Sequence, residues 1–423
     1  MSNQGPSTKN SPGLRVILRS LNSRNYRLFF AGQGISLIGT WMQNIAMSWL
    51  VYRLTNSVFL LGVVTFAGDI PAFFIMPFAG VFADRWNRRR ILVITQSLAM
   101  IQAFMLSVLV LTGKVQVWHL VALAVFLGVI NAFDMPTRQS FVVEMIEKKE
   151  DLVNAIGLNS TIFNGARLVG PSIAGLLIAA VGEGWCFLTN GFSFLAVIAA
   201  LLAMRVNERL IPEKDYDTLR GLKEGLSYAY NHTPIKSILL LLVLIGLVGM
   251  PYVVLMPVMA RDILRGGPYT LGFLMGAAGL GALVSALRMA SRSDAKGLER
   301  YIPLSAALFG AGLIAVSFSK FFPLSLVLVL AAGFGLMTQF TCSNTLIQTL
   351  VDDDKRGRVM SLYTMAFRGI APFGSLLAGA MASKIGAPRT LLIGGAACIL
   401  GALLFARNLP AIRAAMHPPA KII

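Results

Sequence analysis

The sequence predicts an all-α polytopic membrane protein, with twelve transmembrane helices in two pseudo-symmetric six-helix halves. Three observations predict it. Of 423 residues, 56% are hydrophobic and 13% charged, about half the charge of a soluble chain. The apolar residues gather in runs that reach the ~20 residues a helix needs to cross a bilayer. A pattern of glycines in the first half returns in the second. The same composition excludes a disordered chain, which needs low hydrophobicity. A net charge of +18 in so apolar a chain does not read as a nucleic-acid binder, and no nucleic-acid partner is expected.

In chain order, residues 1–24 are polar, with Lys9, Pro6, Pro12 and Arg15, and lack the apolar core of a cleavable signal; the first apolar run reads as a retained span. Apolar runs bounded by turn or charge signals then give spans at about 26–52, 58–83, 90–112, 117–136, 155–181 and 184–204. The longest polar stretch follows, 205–235, in which Leu219, Leu222 and Leu226 recur at helical spacing and predict a short interfacial helix. Six more runs come after it, at about 236–260, 269–290, 301–318, 323–348, 359–382 and 388–407. The predicted organisation is an N-terminal half (1–204), a cytoplasmic linker (205–235) and a C-terminal half (236–423).

Orientation follows from the basic residues, which favour cytoplasmic loops. With both termini inside, 28 of the 37 Lys and Arg fall in cytoplasmic segments. The expected location is the cell inner membrane, multi-pass, with both termini cytoplasmic and the lipid bilayer as partner. The halves repeat: Gly128 and Phe133 of span four match Gly335 and Phe340 of span ten at an offset of 207, and Gly165, Gly170 and Gly175 of span five match Gly369, Gly374 and Gly379 of span eleven at an offset of 204. Parallel six-span halves are an arrangement of transporters that rock around a central site.

The loop after span two holds Gly80, Asp84, Arg85 and Arg88, followed by Arg89 and Arg90. A small residue admits a neighbouring helix, and the acid needs a basic partner. The spacing resembles the signature loop of the major facilitator superfamily, Gly-x-Leu-x-Asp-Arg-x-Gly-Arg-Arg, with Phe82 for Leu and Asn87 for Gly. The resemblance implies the major facilitator fold. It also implies a charge relay between the signature groups and an acid ending span four, here Asp134: a conformational latch of Gly80, Asp84, Arg85, Arg88, Asp134 and Arg138 that holds the outward-open state. A local Asp134–Arg138 pair at i,i+4 is the competing reading.

Span five carries Gly157, Ala166, Gly170, Pro171 and Gly175. Small residues permit close packing and Pro171 can bend the helix. The spacing resembles the superfamily's antiporter motif, with Ala at two of its Gly positions, and implies export. Asn25-Tyr26-Arg27-Leu28-Phe29, Pro136-Thr137-Arg138-Gln139, Asn154-Ala155-Ile156-Gly157 and Arg356-Gly357-Arg358-Val359-Met360-Ser361 together resemble the enterobactin-exporter-like, or transmembrane secretion effector, branch. That branch implies a small-molecule substrate such as a siderophore or drug, without saying which.

Ionisable groups inside a membrane are costly and mark function. Away from the span ends these are Asp69, Arg167 and Arg368. Asp69 is the proton-coupling candidate, since a desolvated carboxylate exchanges protons readily; a structural acid paired to a neighbouring helix is the alternative. Arg167 and Arg368 lie on repeat-related spans and are expected to face alike. They would either bind an anionic solute or pair with Asp69 or backbone carbonyls.

Gln33, Thr40 and Asn44 share one face of span one. With Gln43, Asn131, Asn164, Tyr252, Thr338, Gln339 and Asn344 they complete the candidate substrate cavity, because the resemblance places spans one, four, seven and ten around it. Cys186, Cys342 and Cys398 lie in apolar runs, and His119, His232 and His417 are scattered. No metal site is expected, no cofactor, and no enzymatic constellation.

The expected function is secondary active export of a small organic solute, siderophore-like, drug-like or amphipathic, by alternating access as a monomeric proton antiporter. A proton-coupled importer, a lysolipid translocator and a non-transporting membrane sensor are the alternatives.

Overall fold

The computed structural model describes residues 18–205, 218–292, 297–352 and 355–416; the side chains of 76–85, 149, 218–223, 411 and 414–416 lie outside the described residues. The long helices are α1 Arg24–Thr55, α2 Val58–Arg85, α3 Arg88–Leu111, α4 Val117–Met145, α5 Leu152–Val181, α6 Glu183–Ala203, α7 Thr233–Ile263, α8 Pro268–Ala290, α9 Leu298–Phe318, α10 Phe322–Leu350, α11 Arg356–Ile385 and α12 Ala387–Arg407. Eleven of them, α2 to α12, contain a stretch long and apolar enough to cross a membrane. α1 is 32 residues long and packs into the same bundle against α5 and α6.

Local chemistry sets the breaks between helices. Asn87 caps α3 by accepting the Arg90 N–H at 3.0 Å, one of the unsatisfied donors of a helix start. Gly182 and Gly386 end α5 and α11 with φ of 90° and 87°, where a side chain would be strained. They are 204 positions apart, the repeat offset read from the sequence.

Two features depart from the expected spans. α4 does not stop near Pro136 but runs on to Met145, because Phe141, Val142 and Met145 are buried with Tyr26, Phe29 and Leu92. That apolar contact outweighs the single backbone hydrogen bond a proline removes. α7 and α11 are not continuous α-helices: π-helical turns occupy Ile245–Gly249, Met259–Ile263 and Met365–Gly369. The linker helix, Thr218–Asn231, is held to the start of α11 by Glu224–Arg358 at 2.5 Å and to the end of α10 by Tyr228–Asp352 at 2.9 Å. Leu226 is exposed on it, and Leu219 and Leu222 lie outside the described side chains.

Within the first half α2 packs on α4, α3 on α4 and α6, and α1 on α5 and α6; the second half repeats this with α8 on α10, α9 on α10 and α12, and α7 on α12. The halves meet along two seams, α2–α11 and α5–α8, which exchange under the repeat. Glycines make the equivalence concrete. A side chain at Gly170 would strike Ile38 O of α1 at 2.9 Å, and one at Gly374 would strike Leu247 O of α7 at 2.6 Å. A side chain at Gly175 would come within 3.0 Å of the Gly272 Cα across α5–α8, and one at Gly379 within 3.1 Å of the Gly62 Cα across α2–α11. The 204 offset is therefore structural.

The 207 offset is corrected. Gly128 packs on Gly68 of α2, but Gly335 packs on Ser305 and Phe309 of α9; the glycine that meets α8, at Ala278, is Gly333. Gly333 is the counterpart of Gly128, which brings the offset of these helices to 205. Gly128 and Gly335 align in sequence but face different neighbours.

Both seams are tight toward one end of the bundle. There Tyr52 donates to Asp262, Arg261 donates to Asn56 at 2.8 Å, and the Arg261 guanidinium lies 5.6 Å over the Tyr52 ring. Toward the other end the helices part: side chains at Gly157 or Gly165 of α5, or Gly357 of α11, would meet nothing within 4 Å. Ser160 and Thr161 of α5 and Ser361 and Thr364 of α11 are exposed there. Exposed polar residues within spans mark a water-accessible opening rather than a lipid face.

Candidate functional site

The opening leads to the three mid-span ionisable groups. On α2, Gly62, Phe66, Asp69 and Phe73 stand at i, i+4, i+7 and i+11, one helix face, and that face meets α11. A side chain at Gly62 would strike Ser375 O at 2.6 Å, Phe66 and Phe73 pack edge-on to Phe373 at 5.9 and 5.7 Å, and Phe73 fills the space beside Gly369. Asp69 lies in this row, exposed to the opening, and feels the charge of Arg368 on α11. Arg368 belongs to the π-helical turn Met365–Gly369 and rests against the Met135 sulfur of α4. π-turns are costly and gather at functional positions. Asp69 and Arg368 thus set opposite charges on the two sides of the seam, each within the other's field though not in an ion pair of 4.0 Å or less.

Arg167 stands elsewhere. Its guanidinium lies 5.8 Å over the Trp41 ring of α1 and faces Tyr252 of α7. The two arginines, expected to face alike, occupy separate places: Arg368 at α2–α11, Arg167 among α1, α5 and α7.

The polar cavity candidates divide likewise. Asn44 is exposed; Thr40 is half-buried and donates to Ser36 O at 2.9 Å; Asn131 is half-buried. Asn344 is half-buried and accepts from Gln348 at 2.6 Å. Gln33, Gln43, Asn164, Tyr252, Thr338 and Gln339 are buried. Gln43 does not line the opening: it donates to Gln102 of α3 at 2.9 Å and accepts from Asn190 of α6 at 2.8 Å, and Gln102 donates on to Leu123 O of α4. This chain of hydrogen bonds ties the first half together internally, since buried polar groups must be satisfied. Thr338 hydrogen-bonds Ser285 of α8 at 2.6 Å, Gln339 donates to Ser343 at 3.2 Å, and Asn164 donates to Ser160 O at 2.8 Å. Helical spacing places polar residues on a face; it does not say whether that face meets water or another helix.

Of the latch residues, Gly80, Asp84 and Arg85 lie outside the described side chains. Asp134, 1% exposed, accepts from Thr95 at 2.9 Å and Gln96 at 2.7 Å and pairs with Arg138. Arg88 is not among its partners; Arg88 pairs with Glu144 at 2.6 Å. Glu144 was missed because it lies on the stretch of α4 past Pro136. The signal available was Phe141, Val142 and Met145, apolar residues continuing the helical period. Arg89 donates to Leu201 O and Leu202 O, both at 2.7 Å, neutralising the negative end of α6.

The α5 motif does two different things. Gly170 and Pro171 pack against α1 and α8, Gly175 against α8, and Ala166 is buried, whereas Gly157 borders open space. The described residues hold no group of three His, Cys, Asp or Glu suited to a metal. Two surface hollows of about 530 and 610 Å³ lie at opposite ends of the bundle, lined by Arg53, Glu183 and Tyr269 and by Arg292, Arg300 and Arg413 respectively. Neither reaches Asp69, Arg167 or Arg368.

Comparison with known proteins agrees with this architecture. A family described as transmembrane secretion effector matches residues 18–422. The chain is 27% identical to the staphyloferrin A transporter of Staphylococcus aureus, over 90% of this chain and 95% of the relative. It is 28% identical to the multidrug efflux pump Tap of Mycolicibacterium fortuitum, over 91% and 92%, and 23% identical to the macrolide efflux protein A of Streptococcus pyogenes, over 90% and 96%. Among solved structures, a bacterial homologue of the iron transporter ferroportin in an inward-facing state superposes with a TM-score of 0.69 at 17% identity, covering 91% of this chain and 98% of that one. A bacterial homologue of the human lysosomal transporter Spinster, inward-facing and unoccupied, gives 0.66 at 13% identity, covering 93% and 96%.

Proposed function

The chain belongs to the transmembrane secretion effector family, a family of major facilitator transporters, and on that premise we propose that it exports a small organic solute from the cytoplasm in exchange for protons. The observation that carries the reading is the Asp69–Arg368 couple set across the seam between the halves. The efflux relatives support the direction.

Residues 1–204 and 236–423 act as two bodies joined by the 205–235 linker, and a single copy of the chain encloses the path. Both termini lie in the cytoplasm, so the open end faces inward. With Asp69 ionised, its attraction to Arg368 draws α2 and α11 together. Protonation removes that attraction, leaves Arg368 without its counter-charge and favours reclosure around a different contact set. An acid and its partner on opposite bodies thereby convert a proton into a change of seam energy, of the ~1–3 kcal/mol typical of coupling between sites. At the open end Arg88 and Asp134, here held by Glu144 and by Arg138, Thr95 and Gln96, rejoin with Asp84 as the latch of the outward-open state.

The test is paired flux. Protein in oriented liposomes, given an inward proton gradient, is expected to release protons inside as solute leaves, and reversal of the gradient is expected to reverse the flux. Asp69→Asn is expected to abolish the proton-driven component while solute-for-solute exchange persists. Full gradient-driven export by the Asn protein would sink the coupling role. Cysteines at Arg88 and Asp134 that crosslink equally with and without a gradient would sink the latch.

A further inference from the structure

One mid-span charge stands outside the coupling scheme. Asp69 and Arg368 feel each other's opposite charge across the seam, whereas Arg167 has no carboxylate within 4.0 Å among the described residues. Its counterpart at the repeat offset of 204 is the apolar Ala371, so the second half does not supply a matching group. An uncompensated cation inside a membrane is costly and is kept where it meets a partner.

Its surroundings describe that partner. The half-buried guanidinium lies 5.8 Å over the Trp41 ring, and Trp41 stands edge-on to Phe163, one helical turn from Arg167, at 5.8 Å. Across from them Tyr252, 2% exposed, turns its hydroxyl toward the Arg167 guanidinium, which is the polar group it faces, yet the two do not reach the geometry of a well-formed hydrogen bond. A buried hydroxyl without a well-formed hydrogen bond is unusual, and the cation it faces has no counter-charge. Both deficits are filled by the same thing: an acceptor with negative charge between them.

We propose that the solute is an organic anion whose oxyanion group is received between the Arg167 guanidinium and the Tyr252 hydroxyl, with its apolar part against Trp41 and Phe163. This deepens the export reading and rests on it for the solute's direction alone. A guanidinium offers a planar fork that matches such groups, and Tyr252 donates the additional hydrogen bond. Trp41, Phe163 and Arg167 belong to the first half and Tyr252 to the second, so the bound anion bridges the halves. Its arrival therefore biases their rocking.

The test is a charge series on one ring system. Protein in neutral phosphatidylcholine nanodiscs, without a gradient, is titrated by equilibrium dialysis with 1-naphthoate, 1-naphthamide and 1-naphthylmethylammonium, with empty discs subtracted. Naphthoate is expected to bind about tenfold or more tighter than the amide, and the ammonium weakest, as charged hydrogen bonds predict. Arg167→Gln is expected to erase the naphthoate preference while leaving the amide unchanged. Arg288→Gln, at the end of α8, is expected to keep it. Tyr252→Phe, which removes one atom and no charge, is expected to cost naphthoate about three- to tenfold and serves if the Gln protein does not fold. Naphthoate binding no tighter than the amide, absence of binding included, overturns the inference, as does a preference that survives both Arg167→Gln and Tyr252→Phe. Since no gradient is used, an anion-selective protein that exchanges no protons refutes the antiport and leaves this inference standing; the converse refutes this inference alone.

Discussion

The two seams between the halves are related by the internal repeat but chemically opposite. At α5–α8, Gly272, Gly276 and Gly279 set the backbones together: side chains there would strike Pro171 O at 2.5 Å, Leu168 O at 3.2 Å and Arg167 O at 2.6 Å. At α2–α11 the contact is glycine at Gly62 and Gly379, then phenylalanine, then the Asp69–Arg368 couple. With an offset of 210 between α2 and α8, Asp69 corresponds to Gly279; with 204 between α5 and α11, Arg368 corresponds to Asn164. A charged couple on one seam is thus a glycine and a neutral amide on the other. Repeat symmetry supplies two equivalent seams, and substitution has made one a close approach of backbones and the other a contact that carries opposite charges.

The largest expected effect breaks the close-packed seam. Gly279→Leu drives a side chain into the α5 backbone, where overpacking costs about 1–3 kcal/mol or more. Loss of transport and a clear fall in melting temperature, followed by size-exclusion profiles of heated protein, are expected. Next comes the charge seam. Asp69→Asn is expected to leave the melting temperature nearly intact and to lower proton-driven flux at least tenfold. Asn164→Ala, at the position equivalent to Arg368 on the other seam, is expected to change flux less than Arg368→Gln does. The double Asp69→Asn, Arg368→Gln protein sharpens this: effects of coupled neighbours depart from additivity by ~0.5–3 kcal/mol, so the pair should cost less than the sum of the single changes.

Tyr52→Phe removes one hydrogen bond at the closed end, worth ~0.5–1.5 kcal/mol. It is expected to raise several-fold the thiol labelling, from the Tyr52 side, of a cysteine placed at Asn44. The smallest effect is expected from Gly157→Ala, which borders open space. Its melting temperature is expected to be unchanged or slightly higher, since alanine favours a helix by ~1 kcal/mol over glycine; a large fall would mean that Gly157 is packed.

Much of this was legible in the chain. The long apolar helices, the two halves, a helix between them and the 204 offset follow from runs and glycines, because a bilayer demands length and apolarity in every span. Asp69, Arg167 and Arg368 were legible as exceptions, since charge in hydrocarbon is rare. The cavity list was less legible. Asn44 faces open space while Gln43, one residue earlier, is buried in a hydrogen-bonded chain, and the two side chains are equally polar. Glu144 was hidden because a proline usually ends a helix, and here buried Phe141 and Met145 carried it on.

By itself the sequence determined a membrane-spanning two-half bundle and which few charges lie inside it, because these depend on composition and period along one chain. Which charge faces which was decided only by tertiary structure. Asp69 across from Arg368, Arg88 with Glu144, Asp134 with Arg138, and Arg167 facing Tyr252 all depend on how the helices are rotated and stacked. That rotation is set by the close approach of small residues from different helices, which no local pattern contains.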